Sequence, residues 1–157
     1  MTLENTAGLG VNNHYGHRET EYGKVGGGKL PVQGSVDEIV IYVKGSDFDG
    51  GTSFDTKAYI PAGSLVREAY AEVTEAFALG GTTPTMNVGT SGSAGTNYSI
   101  ELSEANAEAT GQYDGTPAGT HAAVLAADTT IAVELDGTTP TVTDAGQMKV
   151  VIRYIKI

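Results

Sequence analysis

The chain has no cysteine and no tryptophan among its 157 residues. The first absence excludes a disulfide-stapled scaffold and thiolate metal sites, and leaves the redox compartment open. The second, with aromatics at 7%, weighs against the ring-lined cleft a glycosidase needs. Charged residues are sparse at 18%, below the usual ~25%. No apolar run approaches the ~18 residues of a membrane-spanning helix. The opening MTLENTAGLG lacks the basic and apolar regions of a secretory signal, so no leader is expected there. Neither a G-x-S-x-G elbow nor an H-E-x-x-H pair occurs.

Cations are missing over a long stretch. The formal net charge is −10, and from Glu68 through Met148 eleven acids occur without one Lys or Arg. Such a stretch releases no phosphate counterions, which disfavours nucleic acid and anionic membranes as partners. A solvated acidic surface is the simplest account. Residues 1–34 balance Glu4, Glu19 and Glu21 against Arg18, Lys24 and Lys29. That segment is neutral.

Glycine, by contrast, is abundant at 22 residues, about twice its usual share. Eight of these lie in residues 1–34, where no period of 2 or 3.6 persists and apolar residues stand singly. Such a segment builds no core of its own and reads as an extended Gly-rich arm. Residues 35–157 then read as one folded body, within the size of a single domain.

In the body, short apolar stretches alternate with Gly, Thr, Asp and Pro clusters. Val36–Lys44 carries five apolar residues in succession and predicts a central strand buried on both faces. Residues 54–60 predict the next strand. Tyr98, Ile100 and Leu102 alternate with polar residues, as do Ile131, Val133 and Leu135. The C-terminal QMKVVIRYIKI sets Met148, Val150, Ile152 and Tyr154 on one face, with Lys149 and Arg153 on the other. Residues 64–79 fit two periods: Ala, Glu and Leu content favours a helix, whereas the alternation over 68–74 and the flanking strands favour a strand. Strand is the preferred reading. Short strands with such turns predict an all-β antiparallel sandwich rather than βαβ units. GTTPT occurs twice, at 81–85 and 137–141, and reads as two similar hairpin turns.

Candidate chemistry is thin. Residues 23–29 match GxxxxGK, but Leu30 stands where a hydroxyl is needed and Pro31 blocks the following helix, so a flexible hinge is the better reading. His14, His17, Glu19 and Glu21 have spacing a metal could bridge, yet no rigid element holds them. Asp47, Asp49 and Asp55 resemble a calcium loop whose later ligand positions hold Gly51 and Ala58. The carboxylate pairs Glu101/Glu104 and Glu134/Asp136 fit an acidic sandwich face. No catalytic, cofactor or metal residue is assigned, and no enzyme is expected.

Three phrases resemble a recurrent pattern of tailed-bacteriophage virion proteins: IPAGSLVREAYAEVTEAF, TPTMNVGTSG and LAADTTIAVELDGTTPTVTDAGQMKVVIRYI. The resemblance spans roughly residues 58–157 and is similar to head decoration (cement) proteins. It implies a jelly-roll-like β-sandwich, a homotrimer on the capsid surface, and an N-terminal arm clamped on the major capsid protein lattice. It carries no catalytic residues. The expected function is therefore a non-enzymatic structural component of the virion that stabilises the capsid. Within the arm, Tyr15, Tyr22 and Leu30 are the expected partner-binding residues. A receptor- or carbohydrate-binding module of a tail fibre or capsid projection is the alternative; scattered tyrosines weigh against it.

Overall fold

The structure, a computed structural model, describes residues 36–157. Among the described residues eight strands follow one another: β1 (Val36–Lys44), β2 (Ser53–Ile60), β3 (Ser64–Glu75), β4 (Leu79–Thr90), β5 (Tyr98–Ser103), β6 (Gly111–Asp114), β7 (Thr129–Val142) and β8 (Gln147–Lys156). They form two four-stranded antiparallel sheets, ordered β1-β8-β3-β6 and β2-β7-β4-β5. Each consecutive pair of strands crosses from one sheet to the other except β4 and β5, which are neighbours in one sheet. This is the order of a jelly roll built from two Greek keys. The expected fold class is the observed one.

Alternation explains the core. Met148, Val150 and Ile152 of β8 are completely buried, and so are Ile131 and Val133 of β7. β4 adds Met86 and Val88, and β5 adds Ile100 and Leu102. Each is two residues from the next, so one face of each strand is apolar and the other is free to be polar.

The ambiguous segment 64–75 is a strand, and the structure shows why its period was unclear. β3 pairs with β8 in a register that slips between Val66 and Glu68 and again between Val73 and Glu75. The first slip spaces the buried Val66 and Ala69 by three residues, imitating a helical stripe. Packing against β8 overrides the helical preference of the composition.

β1 corrects an expectation. It is an edge strand, not a central one, and it pairs in the described residues with β8 alone. Ile39, Ile41 and Val43 face the core, while Val36, Val40 and Tyr42 are exposed. A continuous apolar run therefore reflects one buried face and one exposed apolar face.

The two GTTPT copies are not hairpin turns either. They lie within β4 and β7 and face each other across the antiparallel ladder, with Thr82 opposite Thr138. Gly81 and Gly137 both have positive φ, and so do Thr83 (48°) and Thr139 (50°). Each of these threonines donates its hydroxyl to the preceding carbonyl at 2.8 Å. A Cβ on Gly81 would lie 2.6 Å from the Thr139 carbonyl oxygen, and one on Gly137 would lie 2.9 Å from that of Thr83. The repeat thus forms two matching bulges, each glycine admitting the backbone of the other copy.

At the β5/β6 side the segment 115–125 closes the sandwich. Gly115 N–H donates to Ala69 at 2.7 Å, Ala118 N–H to Tyr98 at 2.7 Å, and Leu125 N–H to Ser64 at 2.8 Å. His121, in the short 3₁₀ turn Gly119–Ala122, is completely buried. Its Nδ1 lies 2.7 Å from Ser99 Oγ and its Nε2 lies 2.9 Å from Thr90 Oγ1. Two hydroxyls satisfy a neutral imidazole in either tautomer. Burial away from any counter-charge lowers its pKa to about 4.

Two predictions follow from these contacts. The unfolded chain takes up a proton at His121 near the ordinary value of about 6.5, whereas the folded chain resists until about 4. Stability from this group is therefore complete above that range and declines as pH falls from about 6.5 to about 4, by about 3 kcal/mol in all. Denaturant melts across that range should show a shallower pH dependence for His121→Gln than for wild type; parallel curves would refute the assignment. In the paired bulges, Gly81→Ala and Gly137→Ala should each cost about 1–3 kcal/mol through strain and carbonyl contact. Because the two sites touch, the double variant should lose less than the sum of the singles, read from the same melts.

Candidate interaction surfaces

The expected partner-binding residues Tyr15, Tyr22 and Leu30 lie outside the described residues, as do His14, His17, Glu19 and Glu21 and the glycine-rich stretch 23–29. The aspartates of the 47–55 loop are used locally. Asp47 accepts the Lys44 N–H at 2.8 Å, Asp49 takes a left-handed conformation, and Asp55 accepts the Ser91 hydroxyl at 2.5 Å. No group of three or more His, Cys, Asp or Glu side chains converges on a metal position among the described residues.

Among the described residues, the Ser99–His121 hydrogen bond has the outline of a nucleophile and its base. Both residues are completely buried, and a histidine with a pKa of about 4 is a poor base near neutrality. Its third partner is a threonine rather than a carboxylate. The arrangement pins the 119–122 turn to β4 and β5. From sequence, His121 reads as a loop histidine; only the fold places it between two hydroxyls.

The outer faces of the two sheets differ in charge. On the β1-β8-β3-β6 sheet, Glu38 of β1, Arg153 of β8 and Glu68 of β3 stand in one cross-strand row. Arg153 donates through Nε to Glu38 at 2.8 Å and through a terminal nitrogen to Glu68 at 2.6 Å. Its guanidinium also sits 5.9 Å from the ring centre of Tyr70. The Glu38 hydrogen bond is the largest influence raising the arginine's pKa, so the cation is permanent. All three side chains are solvent-exposed in good part, which keeps the energetic value of the triad small.

The next row toward the middle of the strands is apolar, with Val40, Val151 and Tyr70 side by side. Val151 points outward yet is only 1% exposed. Beyond it come Tyr42, Lys149 and Glu72. Cation-bearing and apolar residues are thus interleaved on this face.

The other sheet presents Asp55, Glu101, Glu134 and Asp136 on its outer face. The loop 91–97 folds over part of it. Glu134 accepts N–H groups from Gly92 at 2.7 Å and Ala94 at 2.9 Å, and Ala94 and Ala132 are buried there. A carboxylate that holds a loop in this way is already occupied as a hydrogen-bond acceptor. The cation-free stretch of the sequence is distributed mainly over this sheet. The acidic side and the mixed side are opposite faces of one sandwich.

No protein-family model and no curated protein sequence matches the chain. Solved structures do match by shape. A chain in the acidic stable capsid structure of Helicobacter pylori bacteriophage KHP30 superposes with a TM-score of 0.52 at 14% identity, covering 78% of this chain and 89% of that one. A chain in the capsid of Ralstonia phage GP4 superposes with a TM-score of 0.54 at 16% identity, covering 83% of this chain and 90% of that one. At such identities the likeness establishes the fold. The chain is similar in architecture to proteins found in phage capsids.

Proposed function

We propose that the chain is a non-enzymatic structural protein of a phage virion, bound to the outside of the capsid as a decoration, or cement, protein. The observation that supports this reading most directly is the whole-chain likeness to capsid components, which covers 89% and 90% of the matched chains. In each pair the matched share of the other chain exceeds that of this one. The partners in shape are therefore small chains of this chain's own size or less. The sealed Ser99–His121 pair and the locally used aspartates give the described body no open reactive constellation. Both points favour a binding role.

The mechanism is linkage. A protein that binds only the assembled lattice stabilises it by RT ln(1 + [L]/Kd) per site, and self-association multiplies the effect through avidity. The arm, residues 1–34, is proposed to make the attachment to the major capsid protein lattice, with Tyr15, Tyr22 and Leu30 as its anchors. Self-association follows from the resemblance to decoration proteins, which implies a homotrimer. The acidic outer face of the β2-β7-β4-β5 sheet would be repelled by an acidic lattice and is proposed to face solvent.

Ordering an extended arm costs roughly 1–2 kcal/mol per residue, so apolar contacts must exceed that cost. Replacing Tyr15, Tyr22 and Leu30 together by Ala should release the protein from capsids and leave its melting midpoint unchanged. Raising salt across the physiological range should change binding little, since little of the attraction is between charges. Co-sedimentation of purified protein with stripped particles reads both. Steep loss with salt, or full binding by the triple variant, would show that the body makes the attachment.

A further inference from the structure

Asn87 lies on β4 between Met86 and Val88, whose side chains fill the core. Alternation therefore turns Asn87 to the outer face of the β2-β7-β4-β5 sheet. It is nonetheless completely buried, because the 91–97 loop folds over that part of the face. Neither its Oδ1 nor its Nδ2 has a hydrogen-bond partner. A sealed primary amide with both ends unpartnered is costly. Such a group in a native fold marks a partner that the chain itself does not supply.

The neighbours of the amide indicate what that partner is. The register sets Glu134 of β7 on one side of Asn87 and Glu101 of β5 on the other, at the spacing of roughly 4.5–5.5 Å between opposed Cβ atoms. Asp136 is the next outward residue of β7, and a Cβ on Gly95 of the covering loop would lie 3.1 Å from its Oδ2. β4, β5 and β7 contain no Lys or Arg. Among the described residues, no cation pairs with any of these three carboxylates. Tyr98 has its pKa raised by burial and then by the Glu101 carboxylate, the response of an acid beside an unneutralised negative charge. An ionised carboxylate only accepts hydrogen bonds, so neither flanking glutamate can serve the Asn87 Oδ1. One cation satisfies that oxygen and offsets the flanking charges together.

We infer that the cross-strand row Glu134–Asn87–Glu101, beneath the 91–97 loop, is a binding site for a divalent cation of the calcium class, held by the Asn87 Oδ1 and the flanking carboxylates. Every donor in the row is oxygen, which selects a hard cation. Calcium accepts irregular oxygen sets that magnesium, with its strict octahedron, does not. The row needs two carboxylates and one amide, so it is compatible with the lack of any three-acid group among the described residues. Each Glu134 oxygen accepts one N–H from the loop and keeps a second lone pair. Glu134 already fastens the loop to β7, and the ion extends that fastening to β4 and β5. The inference does not rest on the capsid reading.

The test uses the full chain, stripped with a chelator, and calcium chloride. Isothermal titration should give a dissociation constant of about 0.1–1 mM, the weak end of calcium sites. Calcium at about 10 mM should then raise the melting midpoint by about 4–8 °C. Sodium chloride at matched ionic strength should not reproduce that rise. An equal rise in sodium shows general screening of the acidic face and overturns the inference, as does the absence of calcium binding. Asn87→Leu removes the amide without unpairing any other group, so it should fold and bind calcium at least about 10-fold more weakly. Glu101→Gln changes an exposed side chain and should show a similar loss, which keeps the test decisive if the buried variant fails to fold. Calcium binding that is unchanged in either folded variant is an adventitious ion only and overturns the inference.

Discussion

The molecule depends on the contact between the inner faces of its two sheets, and the strands at the centre of each sheet make most of it. β8 lies between β1 and β3, and β7 lies between β2 and β4. These two strands, like the inner strands β3 and β4 beside them, are paired on both sides and bury one face. Met148, Val150 and Ile152 meet the layer made by Ile131, Val133, Met86 and Val88, with no exposed surface on any of them. Large apolar side chains in alternation supply the burial energy, and the antiparallel ladders fix which of them point inward. The last strand in the sequence is thus indispensable to the first sheet.

Polar interactions then decide how the rim is finished. His121 ties the 119–122 turn to β4 and β5 through two hydroxyls. Glu134 ties the 91–97 loop to the outer face of the other sheet through two N–H groups. The paired GTTPT bulges interrupt the β4–β7 ladder, which resumes at Gly80 and Leu79, by bringing the two backbones close at glycine. Each device is a local hydrogen-bonding or steric solution at a point where the regular ladder stops. Among the described residues, β1 ends its sheet with Asp47 accepting the Lys44 N–H, and its outer face exposes Val36, Val40 and Tyr42.

Charge is arranged by face. Arg153 joins two strands on one side, while the acids of β5 and β7 occupy the other. This polarity gives the sandwich a preferred orientation toward any charged partner surface without contributing much to stability.

The class of fold was legible because inward residues recur at every second position: Ile131, Val133 and Leu135, or Met148, Val150 and Ile152, have no other economical arrangement in a chain with so many turns. The strand identity of 64–75 was harder to read, because bulges at 67 and 74 distort that period. Composition cannot reveal a bulge. The position of β1 was misread for a related reason. Five consecutive apolar residues look the same whether the second face meets another layer of the protein or is left exposed, and only the sheet order distinguishes them. GTTPT likewise showed its turn chemistry but not its partner, since the two copies are far apart in sequence and adjacent only in the ladder. The lack of cysteine excluded disulfides and thiolate ligands from the sequence by itself, because those require a particular atom, and the cation-free stretch disfavoured polyanionic partners. Which described strands lie at the sheet edges, which histidine is sealed and which face is acidic were decided by tertiary structure, because each depends on residues brought together from distant parts of the chain.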